Sequence, residues 1–257
     1  MNRLEKGAHV KQFVMTPAAG KRLIGKAMAV HPAVRAAMAD GTVVIVAGTT
    51  NGYVAEELLS ATGQAEGFSR VGFRRGMTVP PGGGDTPNAK LAGDVVLLRG
   101  QWQQGKTIFD VVDQLRAGDV IVKGCNAFDA AGQAAVYIGD PKGGTIGAAM
   151  QAVVGRRVRL ILPVGLEKRV LDDVDDLARA CNAPGAEGPR LLPVPGEIFT
   201  ELDAIRVLTG ASARLVAAGG VYGAEGAVWI AVDGDAAQIK AAETLLRSVQ
   251  NEPPCRA

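Results

Sequence analysis

Two short turns rich in glycine and threonine carry the most specific chemistry in this sequence. Gly48-Thr49-Thr50-Asn51-Gly52 follows the apolar run Thr42–Ala47 and precedes a helical pattern in Val54, Leu58 and Ala61. A turn of that kind between a buried strand and a helix offers free backbone N–H groups and two hydroxyls at the positive end of a helix dipole, which is what a phosphate or carboxylate needs. Ordinary capping by Thr49, Thr50 or Asn51 is the alternative use of the same residues. Gly143-Gly144-Thr145 repeats the arrangement behind Lys142, at the start of a pattern in Ile146, Ala149, Met150 and Val153. Two such turns on neighbouring strands would converge at one sheet edge, and capping does not account for convergence.

A third loop, Gly100–Thr107, reads GQWQQGKT and satisfies the phosphate-loop pattern GxxxxGK[ST], with Lys106 as its lysine. Trp102, Gln101, Gln103 and Gln104 are bulky for a loop that wraps phosphate. The apolar strands also run out into Gly48, Gly100, Gly124 and Pro163, not into a carboxylate that would hold magnesium. Single residues add to the inventory. Lys123 ends an otherwise apolar strand, where an ammonium is costly unless it has a partner or reaches a cleft. Glu167-Lys168 either opens a helix, with the glutamate favoured by the dipole, or supplies a carboxylate and a cation to a site. Cys125 has no histidine near it and reads as a small core residue. Arg74 and Arg75, beside the Gly/Pro-rich loop Pro80–Asn88, either close over an anion or serve as exposed charges.

The elements that must position these residues alternate. Apolar strands are expected at 42–47, 95–99, 120–123, 134–138 and 158–162, continuous enough to be covered on both faces. Helical patterns intervene, among them Leu23, Ile24, Ala27 and Met28; a second short helix from Pro32; Ile108, Val111, Val112 and Leu115; and Val170, Val174, Leu177, Ala178 and Cys181. This is α/β with a mainly parallel sheet and helices on both faces, and ligands belong at the carboxyl ends of the strands. Asn182–Arg190, NAPGAEGPR, reads as a linker, so a main domain of 1–182 and a small unit of 190–257 are expected. The order strand, helix (Ile198, Leu202, Ile205), strand, strand, helix in the second suits a ferredoxin-like α+β subdomain.

Composition narrows the function classes. The 257 residues are 47% hydrophobic and 21% charged, and 28 Lys+Arg against 26 Asp+Glu leave +2 spread along the chain. No long-range field draws in nucleic acid or an anionic membrane, so an anion must be caught locally. No apolar run reaches the roughly 18–20 residues of a membrane helix. Cys125, Cys181 and Cys255 are odd in number and far apart, which suits reduced thiols and a cytoplasmic setting. His9 and His31 make no zinc spacing with them, and neither a metal nor a cofactor is expected.

The succession VVIVAGTTNGYVAEELL (Val43–Leu59), DVIVKGCNAFDAAGQAAVYIG (Asp119–Gly139), GGTIGAAM (Gly143–Met150) and VRLILPVG (Val158–Gly165) resembles the superfamily of ribose-5-phosphate isomerase, glucosamine-6-phosphate deaminase, CoA transferases and initiation factor 2B. The likeness runs from Gly41 to Lys168. It implies a Rossmann-like sheet and a site at the two threonine turns. Where that superfamily has glycine-alanine-aspartate, this chain has Gly124-Cys125-Asn126, so the usual catalytic carboxylate is an amide; Asp129 is the nearest substitute. The resemblance implies a sugar phosphate isomerised by acid–base chemistry, with Asp129 or Glu167 as base and Lys123 or Lys168 as cation. Gly48, Thr49, Thr50, Asn51, Asn126, Gly143, Gly144 and Thr145 would hold the ligand. A non-catalytic ligand-binding relative is the alternative, a nucleotide-binding protein using Gly100–Thr107 a second. A homodimer is expected.

Overall fold

The computed structural model describes residues 9–73, 75, 76, 78 and 93–254; the expectations for Arg74, Pro80–Asn88 and Cys255 fall outside them. In chain order the elements are β1 (His9–Met15), α1 (Pro17–Val30), α2 (Pro32–Asp40), β2 (Thr42–Ile45), α3 (Thr49–Ala61), β3 (Val95–Leu98), β4 (Gln101–Trp102), α4 (Ile108–Val111), β5 (Val120–Val122), β6 (Ala127–Phe128), β7 (Ala134–Ile138), α5 (Gly144–Arg156), β8 (Arg159–Pro163), α6 (Val174–Cys181), β9 (Arg190–Val194), β10 (Glu197–Phe199), α7 (Glu201–Thr209), β11 (Ser212–Ala218), β12 (Val228–Gly234) and α8 (Ala236–Val249). Single 3-10 turns cover Val112–Gln114 and Leu166–Lys168.

The frame is a six-stranded, mostly parallel sheet in the order β10-β8-β5-β2-β3-β4. β10, β8, β5 and β2 run parallel, while at one edge β3 is antiparallel to β2 and β4 is antiparallel to β3. Val43, Val44, Ile45, Ile121, Val122, Ile161 and Leu162 are fully buried, as an apolar run covered on both faces requires. α1 sets Leu23, Ile24, Ala27 and Met28 on one face at i, i+1, i+4 and i+5 and packs against α3. Two buried carboxylates fasten the loops. Asp94 accepts from the Ala47 N–H at 2.9 Å and the Ile108 N–H at 2.8 Å, tying the exit of β2 to α4. Asp119 accepts from the N–H groups of Thr42 and Arg116 in the same way.

Several elements differ from the expectation. β3 is antiparallel to β2, pairing Thr42 with Leu98 and Ile45 with Val95. A parallel return needs a crossover, usually a helix, and no described element intervenes between α3 and β3. The helix expected over Ile108–Leu115 is one α-turn followed by a 3-10 turn, and α6 starts at Val174 behind its cap Asp173. Ile198 lies in β10; the helix begins only after Thr200, whose Oγ1 accepts from the Leu202 N–H at 3.2 Å.

The strands after residue 190 distribute over three sheets. β9 pairs with β7 and β10 with β8, while β12 pairs with β11 on one side and with β1 on the other. β1 carries no strand signal strong enough to read from sequence, because only Phe13 and Met15 withdraw from solvent and its partner β12 lies at the far end of the chain. No described helix is long and apolar enough to cross a membrane.

Candidate functional site

At the carboxyl ends of β2, β5 and β8 lies a cleft of about 650 Å³, and both threonine turns line it: Gly48, Thr49, Thr50 and Asn51 from one side, Gly143, Gly144 and Thr145 from the other. Their helices begin differently from most of the others, although α2 behind His31 also lacks a side-chain cap. α1, α6, α7 and α8 are capped by the side chains of Thr16, Asp173, Thr200 and Asp235. α3 and α5 have glycine at the N-cap and no side-chain cap at all. Thr49, Thr50 and Asn51 therefore do not cap α3, and the first-turn N–H groups of both helices are left for another acceptor. Gly143 holds φ +80°, and a methyl there would stand 3.2 Å from the Gly147 Cα, so the second turn requires glycine.

The cleft is lined by four cations, Lys21, Arg75, Lys123 and Lys168, against the carboxylates of Asp140 and Glu167. Three of the four are held. Lys21 Nζ lies 2.9 Å from Glu167 Oε1 and donates to the Pro17 carbonyl at 3.3 Å. Lys168 donates to the Cys125 carbonyl at 3.0 Å, and Arg75 pairs with Asp94 at 3.2 Å. Lys123 is the exception: its backbone N–H is fixed on the Ile161 carbonyl at 3.0 Å, yet its ammonium has no acceptor among the described residues. Burial pushes Lys123 down to about 8; Arg75 and Lys168 add to the fall, while Cys125 and Asp94 oppose it. Burial lowers Lys168 as well. Burial also drives the Cys125 thiol up to about 11, so it is a protonated core group and not a nucleophile.

Glu167 lines the cleft from the 3-10 turn after β8, folded back over Gly165. A methyl on Gly165 would overlap its carboxylate, although the φ of −75° suits any residue. Asp129 has a different place. It does not line the cleft; one oxygen accepts from the Gln133 N–H at 2.9 Å and the other from the Val174 N–H at 3.0 Å. Those backbone bonds hold it below the usual carboxylate range, against the opposing effect of burial. A carboxylate spent on two backbone donors is a staple between the β6–β7 turn and α6, not a base.

Asn126 lines the cleft while its Oδ1 accepts from the Tyr137 N–H at 3.0 Å. Asn51 is almost fully buried and donates to the carbonyls of Val46 and Val122 at 2.7 and 3.1 Å, joining the ends of β2 and β5; its Oδ1 has no partner among the described residues. Asn51→Asp removes both donations and sets a charge against two carbonyls, so it is expected to lower stability by about 2–4 kcal/mol, measured by urea unfolding.

The GQWQQGKT segment takes no part in the cleft. Arg99 and Gly100, at φ 45° and 75°, form the two-residue turn of the β3–β4 hairpin. Thr107 is the N-cap of one-turn α4, and its hydroxyl and N–H both bond Asp110. The threonine and the helix start that a phosphate would need are thus occupied.

One residue of the cleft and one buried behind it were not anticipated from the sequence. Lys21 reaches the cleft from α1, and no local pattern distinguishes it from other helical lysines. Glu201, wholly buried at the first position of α7, accepts from the Leu166 N–H at 3.0 Å just behind Glu167. Burial and the neighbouring Glu167 push it up to about 8. The spacing of Thr200 and Asp203 marks a capping box and places Glu201 in the first turn, but only tertiary packing buries it. No group of three or more potential metal ligands exists among the described residues. Comparisons with protein-family models, with curated proteins and with solved structures found no match.

Proposed function

We propose that the cleft binds a small phosphorylated metabolite of the sugar-phosphate kind and moves a proton on it. Glu167 is the base, and the ammonium groups of Lys123 and Lys168 steady the enediolate. The observation that carries this reading is the meeting of two uncapped helix N-termini in one cleft with four cations. The phosphate belongs on the backbone amides of the two turns. The unpartnered Oδ1 of Asn51 suits a ligand hydroxyl.

The same proposal makes the chain a divergent relative of the sugar-phosphate isomerase and CoA-transferase superfamily, with a Rossmann-like main unit and a ferredoxin-like small one, working in the cytoplasm. It is supported by the order of motifs from Gly41 to Lys168. A homodimer is part of it, supported by exposed Val10, Val14 and Trp229; Val14 faces Trp229 across the β1–β12 pair. A ligand-binding subunit without turnover is the second reading, favoured by Asn126, an amide committed to the Tyr137 N–H.

A melting panel of sugar phosphates, acyl-CoAs and ATP–Mg tests the proposal. A sugar phosphate at a hundredfold its Kd is expected to stabilise by about 2.7 kcal/mol. Proton exchange next to the carbonyl, followed by NMR in heavy water, separates isomerase from binder. A shift with ATP–Mg alone, lost in Lys106→Ala, contradicts the proposal.

A further inference from the structure

We propose that Lys123 is a covalent catalyst: its amine forms an imine with an aldehyde or ketone held in the cleft, so the substrate class is a phosphorylated carbonyl compound and not any phosphate ester. The inference rests on the proposed phosphate site and gives Lys123 a bond to the substrate in place of an ammonium's role beside an enediolate, which Lys168 keeps.

The geometry separates Lys123 from the other lysines of the cleft. Lys21 is neutralised by Glu167, and Lys168 is tied to the Cys125 carbonyl. Lys123 stands at the end of β5, with its backbone locked into the parallel ladder on Ile161 and no acceptor for its ammonium among the described residues. It shares its surroundings with two further cations, Arg75 and Lys168. Burial and like charge both favour the neutral amine, which is the state that attacks a carbonyl. A lysine needed only to attract phosphate would gain nothing from either.

The step balances without another reactant. The neutral amine adds to the carbonyl carbon, and proton transfer from nitrogen to oxygen gives a carbinolamine. Protonation of its hydroxyl and loss of water leave a protonated imine. Glu167 then takes the proton from the neighbouring carbon, and the electron pair moves to nitrogen as an enamine. Return of a proton to that same carbon restores the imine, and its hydrolysis releases the carbonyl compound, exchanged or inverted at that carbon, together with the free lysine.

Borohydride trapping on the full chain tests this, with glyceraldehyde 3-phosphate as probe, glyceraldehyde as its unphosphorylated counterpart and inorganic phosphate as competitor, read by peptide mapping. The expected result is one reduced adduct on Lys123. It forms faster with the phosphorylated probe, is suppressed by phosphate, and has a rate that rises with pH and levels above about 8. It is absent in Lys123→Arg, which keeps the charge. Adducts scattered over other lysines with Lys123 unmodified overturn the inference, as does unchanged total labelling in Lys123→Arg. Phosphate that stabilises the fold while Lys123 stays unlabelled leaves the phosphate site standing and removes the imine. Equal labelling of Lys123 by both aldehydes, without protection by phosphate, supports the imine and removes the phosphate site.

Discussion

Glu167→Gln is expected to lower the rate of proton exchange on a bound sugar phosphate by about 10²–10⁴-fold, the usual contribution of a positioned acid–base group, without weakening binding. The amide fills the same space on the turn after β8 but cannot take a proton. Phosphate is held elsewhere, on the amides of α3 and α5, and loss of a negative charge from the cleft favours an anion. Gly165→Ala tests the same carboxylate by another route. Its methyl would occupy the position of the Glu167 carboxylate, which must swing away from Lys21, while the backbone at φ −75° accepts alanine without strain. The two variants should therefore lose exchange together, and the alanine variant should melt close to the parent. Parental exchange in Glu167→Gln, followed by NMR, would remove Glu167 from the chemistry.

The second large effect concerns stability. Glu201 carries its proton up to about 8 in the folded chain, against an ordinary value of 4.5. Between those two values the folded state holds a proton that the unfolded state has released, so stability must fall as pH rises through that window and level off above it. For a wholly buried carboxyl the loss is on the order of 4 kcal/mol. Glu201→Gln keeps an acceptor for the Leu166 N–H and cannot ionise. Urea unfolding should find the variant more stable than the parent above pH about 9 and little different below pH about 5. A parent whose stability is flat across the window would mean that Glu201 is not buried as described. The protonated state also matters to the cleft, because a second anion behind Glu167 would offset the cations that line it.

How far the sequence predicts this arrangement depends on the range of the interactions. Thr42–Ala47, Val120–Lys123 and Val158–Leu162 announce themselves as buried strands because apolar continuity is a local property, and the turns that follow them are legible for the same reason. The turns after β2, β5 and β8 meet because parallel strands deliver their loops to one edge, whereas Gly143–Thr145 follows β7 of the separate antiparallel sheet β6-β7-β9, so its arrival at the cleft depends on tertiary packing and not on neighbouring strands of one sheet. What depends on distant partners is not legible. β1 becomes a strand only through β12, and Ile198 joins β8 instead of the helix that its spacing suggests. Asp129 and Glu167 look alike as isolated carboxylates near strand ends. Only the N–H groups of Gln133 and Val174 decide that the first is structural. Gly100–Thr107 fails as a phosphate loop for a related reason: the pattern fits, but the preceding strand runs antiparallel and turns straight into β4.

The claim on which the account rests is that the two glycine-threonine turns grip one anion. Titration of the isotope-labelled protein with inorganic phosphate, following the amide resonances, tests it most directly. The N–H signals of Thr49, Thr50 and Asn51 and those of Gly144 and Thr145 are expected to move together along a single saturation curve, while those of Gly105 and Lys106 stay still. Separate curves for the two turns, or movement confined to Gly100–Thr107, would contradict it.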